Sequence, residues 1–279
     1  MIAPGLREVA LALLVGGAGF AMLERLWPAV ARHRSLAASR CDLAWWFFTP
    51  LVTKALTRLA IVIAVVAVVL ASGRSPDRAS LGAMLAPRES IARLPFILQL
   101  AGFLLVSDLA AYAMHRLFHH RPLWRFHAVH HSSTEVDWLS AVRIHPVNDA
   151  LMRLAQAVPI LWLGFDPALL AGWVPVLAFQ SILVHANVPW DFGPLRWVIA
   201  SPAFHRQHHA LDDDGVGRNF AALFPFIDLA FGTFHLPAGE PERFGAPGAD
   251  VPDDFAGQLA WPLRRSARPG SGLFARRPA

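Results

Sequence analysis

The sequence is poor in cysteine and in charge. Its single cysteine, Cys41, excludes a disulfide within the chain and any iron–sulfur cluster held by several thiolates of this chain. Zinc sites that require paired cysteines are excluded with it. Charged residues make up 16% of the 279 residues, below the roughly 25% of soluble domains, while hydrophobic residues make up 55%. Much of the surface is therefore expected to face lipid.

Lysine is almost absent as well. Lys54 is the only lysine, so the formal net charge of +5 depends on arginine. Many of the arginines lie in loops beside apolar segments, where basic residues set membrane topology and contact anionic headgroups. We therefore expect no nucleic acid among the partners.

Four apolar zones, at residues 9–30, 43–73, 94–114 and 154–184, give the chain its predicted architecture. The first three reach the roughly 20 residues that a membrane-spanning helix needs. The first also lacks a basic leader and a cleavage site, so we expect it to remain as an anchor. Glycine and proline at 164–167 split the fourth zone into two helices, which form either a membrane hairpin or a spanning pair.

The predicted fold is all-α: an integral membrane bundle of about three to five membrane-embedded helices, capped by a cytoplasmic, histidine-rich, helical di-metal domain. Residues 1–106 hold the N-terminal membrane helices. Residues 107–236 form the histidine-rich region, including the hairpin at about 154–184, and residues 237–279 form a polar, flexible tail. Because the histidine-rich region is also rich in arginine, the positive-inside tendency places it in the cytoplasm.

Three short stretches, HRLFHH, RFHAVHHSS and FHRQHHA, contain nine of the 13 histidines. Residues three and four apart lie on one face of an α-helix, so each stretch can present several imidazoles to one cation. A tetrahedral site takes about four protein ligands, so these histidines are too many for one ion and predict two. The predicted ligands are His115, His119, His127, His130, His131, His205, His208 and His209.

Other residues are candidates for the same site. His185 follows an apolar helix and is expected to be a further ligand, whereas His145 is either a ligand or a hydrogen-bonding neighbour. A carboxylate inside a membrane helix is costly and needs a partner, so Asp108 is expected to face the histidines. His33, His120 and His235 are interpreted as bystanders.

The order HxxxH, HxxHH, HxxHH between hydrophobic helices resembles the fatty acid hydroxylase superfamily, which includes sterol desaturases, C-4 methyl sterol oxidases and alkylglycerol monooxygenase. The resemblance covers residues 107–234 and includes WRFHAVHHS, VHANV, FHRQHH and IDLAFGTF. AVRIHPVN is similar to a family segment that often has glutamate where Asn148 stands, and Ile227 replaces a common tryptophan.

This resemblance implies a non-haem di-iron oxygenase with two iron ions and O2 as co-substrate, acting on a C–H bond of a lipid. It carries the ligand role to the eight histidines named above and to His185. It further implies that Asp108 and Asp228 accept the second N–H of ligand imidazoles, although for Asp228 a helix cap or a salt bridge remains the alternative. Asn187, in VHANV, is a candidate for an additional ligand or supporting group.

The electrons for such a reaction must come from another protein. The chain has no GxGxxG dinucleotide fingerprint, no cysteine set and no recognisable haem domain, so a separate ferredoxin, cytochrome or reductase is implied. The lipid itself, and hydroxylation as against desaturation, stay open at this point.

Two other classes of protein remain as alternatives. A histidine-rich membrane metal transporter or storage protein would place its ligands in loops or along a pore rather than in compact helical triplets. A zinc-dependent membrane hydrolase would need a general base, and the sequence has no HExxH motif; Glu135 is the nearest acid.

Overall fold

The computed structural model describes residues 5–31, 35–166, 168–211 and 217–264. Within these ranges the protein is helical and has no β-strand. A π-helical turn, Thr49–Thr53, joins the second helix to the third. In chain order the α-helices of the described ranges are α1 (Leu6–Leu26), α2 (Leu36–Phe48), α3 (Lys54–Ala71), α4 (Arg78–Leu85), α5 (Glu89–Ala92), α6 (Phe96–Phe118), α7 (Trp124–His131), α8 (Pro146–Leu163), α9 (Ala168–Leu183), α10 (Pro202–His208), α11 (Phe226–Ala230) and α12 (Phe255–Ala260).

Three stretches of helix in the described ranges are long and apolar enough to cross a membrane. They are α1, the continuous stretch Leu36–Ala71 and α6. At about 1.5 Å per residue, α6 extends for about 35 Å, which exceeds the roughly 30 Å hydrocarbon thickness of a bilayer. The prediction of an all-helical membrane protein with a histidine-rich helical region is therefore confirmed, and the first three apolar zones coincide with these stretches.

The fourth apolar zone consists of α8 and α9, which meet at the predicted turn. Gly164 ends α8 in the left-handed region at φ 82°, where a glycine has no Cβ to clash. Its carbonyl accepts a hydrogen bond of 2.9 Å from the backbone N–H of Arg88. The turn therefore lies beside the connection between α4 and α5, at the opposite end of α8 from the histidine motifs.

Polar contacts fix α8 against two of the candidate spans. Asp149, near the start of α8, accepts from Lys54 Nζ at 2.6 Å and from Thr57 Oγ1 at 2.7 Å, both on α3. Further along α8, the Gln156 amide donates to Ser107 Oγ of α6 at 3.0 Å. These bonds hold α3, α6 and α8 together as one bundle below the site.

The segment 237–264 differs from the expected flexible tail. It contains α12, and Gln258 Oε1 accepts a 2.7 Å hydrogen bond from the Trp45 indole of α2. Trp261 is buried with Trp45 and Trp124 in one hydrophobic cluster. The segment is polar on average, but its few apolar residues recur at helical spacing and find a hydrophobic partner surface. Residues 265–279 lie outside the described residues.

Candidate metal centre

Nine imidazoles converge at the ends of four helices. α6 carries His115, and His119 caps its C-terminal end. α7 carries His127, His130 and His131. α10 carries His205 and His208 with His209 next to it, and His185 follows α9. Their nitrogen atoms form two groups, and within each group one ligand atom per residue lies within 4.8 Å of all the others. The first group is His115, His119, His127, His131 and His208; the second is His130, His185, His205 and His209.

Backbone carbonyls determine which ring nitrogen carries the proton. His115 Nδ1 lies 2.8 Å from Phe220 O, and His208 Nδ1 lies 2.8 Å from Arg218 O. In the second group His185 Nδ1 lies 2.7 Å from the carbonyl of Ser181. A carbonyl oxygen can only accept, so each of these Nδ1 atoms must be the donor. In the neutral ring the opposite nitrogen, Nε2, is then a bare lone pair.

Two further rings are held in the same way. His130 Nδ1 faces the carbonyl of Arg143 at 3.3 Å. His127 Nδ1 faces the side-chain oxygen of Asn148 at 3.0 Å. All five rings therefore direct their Nε2 lone pairs inward, which is the form of histidine that binds metal.

The bare nitrogens face one another at close range. His115 Nε2 lies 3.0 Å from His127 Nε2, and His130 Nε2 lies 3.2 Å from His185 Nε2. Two lone pairs at such distances repel unless a cation shares them. Two nitrogens that each lie about 2.1 Å from one ion, at about 90° to each other, are about 3.0 Å apart. The donor set therefore fits a metal ion in each group.

Burial and unpaired atoms support the same fit. Both nitrogens of His119, and Nδ1 of His209, are buried and have no hydrogen-bond partner among the described residues. Desolvation lowers the pKa of His119, His131, His208 and His209 well below the usual value, and the neighbouring imidazoles lower each pKa further. Burial lowers the pKa of His185 to about 4. The rings are thus neutral at pH 7, as ligation requires.

The structure brings together the eight motif histidines and His185, but it places His145 elsewhere. His145 Nδ1 accepts from the backbone N–H of Val147 at 3.2 Å and caps α8. Its other nitrogen, Nε2, donates to the carbonyl of Leu259 at 3.2 Å. Both nitrogens are therefore used for packing, because the proline that follows His145 begins a helix whose first amides need acceptors.

The expected contact of Asp108 and Asp228 with imidazoles is wrong. Asp108 accepts from the backbone N–H groups of residues 222–224 at 2.7 to 3.2 Å. Asp228 accepts from the N–H groups of Phe220 and Ala221 at 2.7 and 2.8 Å. Both carboxylates accept hydrogen bonds from the backbone amides of a loop rather than from an imidazole ring. The loop has no regular secondary structure that would pair these amides. The carboxylates reach the site indirectly, since His115 donates to the carbonyl of Phe220.

Asn187 also lies outside the two groups. Its side chain exchanges hydrogen bonds with the backbone of Val30, at 3.2 Å from Val30 N and 2.9 Å to Val30 O. It ties the chain after α1 to the segment that follows His185. Of the three histidines interpreted as bystanders, neither His120 nor His235 belongs to a group, and His33 lies outside the described residues.

Sequence reasoning missed the groups that orient the rings. Asn148 stood out only as a departure from the family segment, and its contact with His127 depends on how α8 begins. The Arg143 carbonyl faces His130, while the Arg143 guanidinium forms a buried ion pair with Asp42 of α2. Backbone carbonyls are present at every residue, so no sequence signal distinguishes the ones that face an imidazole.

The fold and this site together define a class: a helical membrane protein with a buried, nitrogen-rich centre suited to metal ions. Residues 100–233, just under half of the chain, match the family model described as fatty acid hydroxylase. This part of the chain is similar to the fatty acid hydroxylase family, as its motifs predicted. No solved structure matches the chain.

Three curated relatives share this region. Ornithine lipid hydroxylase OlsE of Rhizobium tropici is 33% identical over 177 residues, which cover 62% of this chain and 53% of that protein. Methylsterol monooxygenase 1 of Rattus norvegicus is 28% identical over 149 residues, 52% of this chain and 50% of that protein. Alkylglycerol monooxygenase of Danio rerio is 29% identical over 128 residues, 46% of this chain and 28% of that protein. The chain thus covers about half of the first two relatives and less of the third.

Proposed function

We propose that this protein is a membrane-bound non-haem di-iron oxygenase that hydroxylates a C–H bond of a lipid, using O2 and electrons from a separate donor. The observation that carries the proposal is the convergence of bare Nε2 lone pairs in two groups of neutral, buried imidazoles. The relatives, whose names describe a lipid hydroxylase and two monooxygenases, support a redox reaction rather than hydrolysis.

The ligand set favours two ions. The five and four histidines of the two groups would each hold one ion, with His119 using a ring nitrogen that otherwise lacks a partner. Imidazole suits iron, copper, nickel and zinc, and of these iron and copper carry out O2 chemistry in proteins. We propose iron because the family that the motifs resemble is one of non-haem di-iron oxygenases. When bound, the iron would supply the one-electron chemistry and O2 activation that amino-acid side chains lack.

The chain's own residues would hold the site in the form that the reaction needs. The carbonyls of Phe220, Arg143 and Ser181 keep the protons on Nδ1, so that Nε2 stays free for the metal. All nine imidazoles are buried, and the most exposed of them, His130, is 9% exposed. Exclusion of water protects an oxidising centre from side reactions.

A lipid substrate follows from the position of the site. His115 is part of α6, a candidate span, and His185 lies two residues after the end of the apolar helix α9. An acyl or ring carbon held in the bilayer would therefore reach the site from the side. The reaction balances as R–H + O2 + 2 electrons + 2 protons giving R–OH + H2O, so one C–H bond breaks and one C–O bond forms.

The electron donor and the orientation are parts of the same proposal. A ferredoxin, cytochrome or reductase would deliver the two electrons at the face that carries the histidines. The arginines of this face, including Arg116, Arg121 and Arg125, favour the cytoplasmic side by the positive-inside tendency. Within the division of the chain that we propose, residues 107–236 form the catalytic region and 1–106 the membrane anchor.

Metal analysis and lipid mass spectrometry test the proposal together. The purified protein, reconstituted anaerobically with ferrous iron, is expected to bind two irons per chain and to consume O2 when a chemical reductant is supplied. Lipids from cells that contain the protein should include a species that has gained one oxygen atom, derived from isotopically labelled O2. Loss of two hydrogen atoms instead would identify desaturation. One zinc per chain without O2 consumption would overturn the oxygenase and favour a hydrolase.

A further inference from the structure

The segment 219–234, NFAALFPFIDLAFGTF, presents an apolar surface although it lies outside the three candidate spans. Its only ionisable residue, Asp228, is fully buried. The exposed members of the segment are Ala222, Phe226, Leu229, Ala230, Phe231 and Gly232. Phe226, Leu229 and Phe231 expose 40%, 45% and 54% of their surfaces. Soluble proteins rarely expose a contiguous apolar patch without a partner for it.

The segment is attached to α6 well inside the candidate span. Asp108, which accepts from the amides of residues 222–224, precedes the last residue of α6 by ten positions, or about 15 Å along the helix axis. One turn nearer that end, Tyr112 OH bonds to Thr233 Oγ1 at 2.9 Å. The rings of Tyr112 and Phe231 stack with centroids 5.1 Å apart. The segment thus lies beside α6 at levels where α6 itself faces lipid.

The N–H groups in the first part of the segment are paired without water. Each N–H from Asn219 to Phe224 has an acceptor, supplied by Thr233 O, by Asp228 or by Asp108. Pro225 has no N–H. In water these amides would be hydrogen-bonded to solvent. Burying two carboxylates to pair them instead would carry a large desolvation free energy. In a bilayer irregular backbone is tolerated only when its polar groups are paired within the protein.

Neighbouring elements continue the same surface. Ala200 N donates to Leu223 O at 2.8 Å, which joins the segment to the chain just after the helical turn Gly193–Trp197. Around that turn Leu195, Trp197 and Val198 are 45% to 56% exposed. The Gln180 amide of α9 donates to Ala200 O at 2.7 Å and connects the apolar face of α9. An exposed tryptophan such as Trp197 is typical of a membrane–water boundary.

We propose that residues 219–234 insert into the bilayer leaflet on the histidine side of the membrane, with Phe226, Leu229 and Phe231 in contact with lipid acyl chains. Asp108 and Asp228 make the insertion tolerable by pairing the amides that lipid cannot solvate. The occupant of this surface is lipid rather than a second protein, because the surface is continuous with α6, a candidate membrane span. The proposal depends on neither the metal nor the reaction.

Depth-dependent quenching tests this insertion. In a Cys41→Ser background, single cysteines replace Phe226, Leu229 or Phe231 and carry a fluorescent label, and the protein is reconstituted in phosphatidylcholine vesicles. Lipids with a nitroxide on the acyl chain should quench all three labels, and aqueous iodide should not. The label at Phe226 should respond to the deeper nitroxide more than the label at Phe231, because residue 224 lies at the level of Asp108 and Phe231 at that of Tyr112.

Matched positions calibrate the result. A label at Leu105, an exposed residue of α6, should behave as a lipid contact, and one at the exposed Arg243 should be quenched by iodide alone. Iodide quenching at Leu229 equal to that at Arg243 overturns the proposal. Protection from both quenchers would indicate a protein partner instead and overturns it equally.

A second variant probes the role of the carboxylate. Asp108→Asn places an N–H2 group opposite a backbone donor, so the segment should detach and iodide should reach the label at Leu229. Asp77→Asn, at an exposed cap of α4 on a different connection, should leave the label unchanged. If the Asp108 variant does not fold, the labels on the parent protein still decide the question. An Asp108→Asn protein that folds and stays protected removes the carboxylate from the explanation.

Discussion

At the scale of single residues, the site depends on groups that fix the ring protons. Most of these groups are backbone carbonyls, which substitution cannot remove. Asn148 is the exception, because its side-chain oxygen faces His127 Nδ1 at 3.0 Å. A group that orients a ligand in this way commonly affects metal affinity almost as strongly as the ligand does.

Asn148→Ala is therefore expected to weaken metal binding by about 10- to 100-fold, because the His127 ring loses its orientation and its preferred proton position. Asn148→Asp keeps an acceptor and should retain most of the affinity. Metal titration of the anaerobic protein measures both. Gln156→Ala on the same helix, which removes a contact with α6 but none with a histidine, is the control. Equal affinities for the Asn148→Ala and Gln156→Ala proteins would contradict the role of Asn148.

His208 and His235 provide a second comparison between residues. His208 Nε2 lies 3.1 Å from His131 Nε2 inside the first group, whereas His235 belongs to neither group. If the centre holds the two irons that we propose, His208→Ala should lower the metal content and abolish oxygenation, since the first group loses a ligand. His235→Ala should leave metal content and product at the level of the parent. A similar loss in both variants would show that the ligand assignment is wrong.

At the scale of elements, the segment that contains α12 connects the site to the membrane helices. Gln258 is 1% exposed, and its oxygen accepts from the Trp45 indole while its amide donates to Pro252 O at 3.0 Å. α2 in turn contributes Asp42, whose partner Arg143 presents its carbonyl to His130. The C-terminal segment therefore stabilises the elements that support the second histidine group.

Gln258→Leu should lower the free energy of unfolding by about 1–3 kcal/mol, because the buried Trp45 N–H loses its acceptor. Thermal unfolding of the detergent-solubilised protein measures the loss as a lower midpoint. Trp45→Phe removes the donor as well, so the double variant should be less destabilised than the two single effects predict together. Strict additivity of the two substitutions would mean that the indole hydrogen bond contributes nothing.

Much of the architecture was predictable because hydropathy and turn residues act locally. The first three apolar zones became candidate spans, and the split near Gly164 became the turn between α8 and α9. The contacts that depend on long-range packing were not predictable. Asp108 pairs with amides 114 to 116 positions away in the chain, and Gln258 pairs with a tryptophan 213 positions away. The sequence around the amides that pair with Asp108, and around the tryptophan that pairs with Gln258, does not indicate these distant partners.

The histidines show the same division. Their number and helical spacing indicated two ions, since helical geometry places imidazoles on one face. The division into groups of five and four crosses the motifs: His131 joins the first group while its neighbour His130 joins the second. Adjacent residues on a helix point about 100° apart, so this division follows once the helices are in place but cannot be read from any one motif.

At the scale of the whole molecule, the two histidine groups constrain how the chain crosses the membrane. His115 at the end of α6 and His208 of α10 belong to one group, although α8 and α9 lie between them. The pair α8 and α9 must therefore leave the histidine face and return to it. Gly164, at the turn between them, bonds to Arg88 on the connection that precedes α6, which places this turn toward the opposite face.

A cysteine-accessibility scan in intact cells, with Cys41→Ser as background, checks this topology. Cysteines at Arg121 and Arg243, both exposed on the histidine side, should react only from the cytoplasm, since the arginines of this face favour that side. A cysteine at the exposed Asp77, between α3 and α6, should react only from the opposite side, because α6 separates it from His115. Labelling of Arg121 and Arg243 from opposite sides would contradict a shared site, whereas a common side facing outward would reverse the orientation and leave the shared site intact.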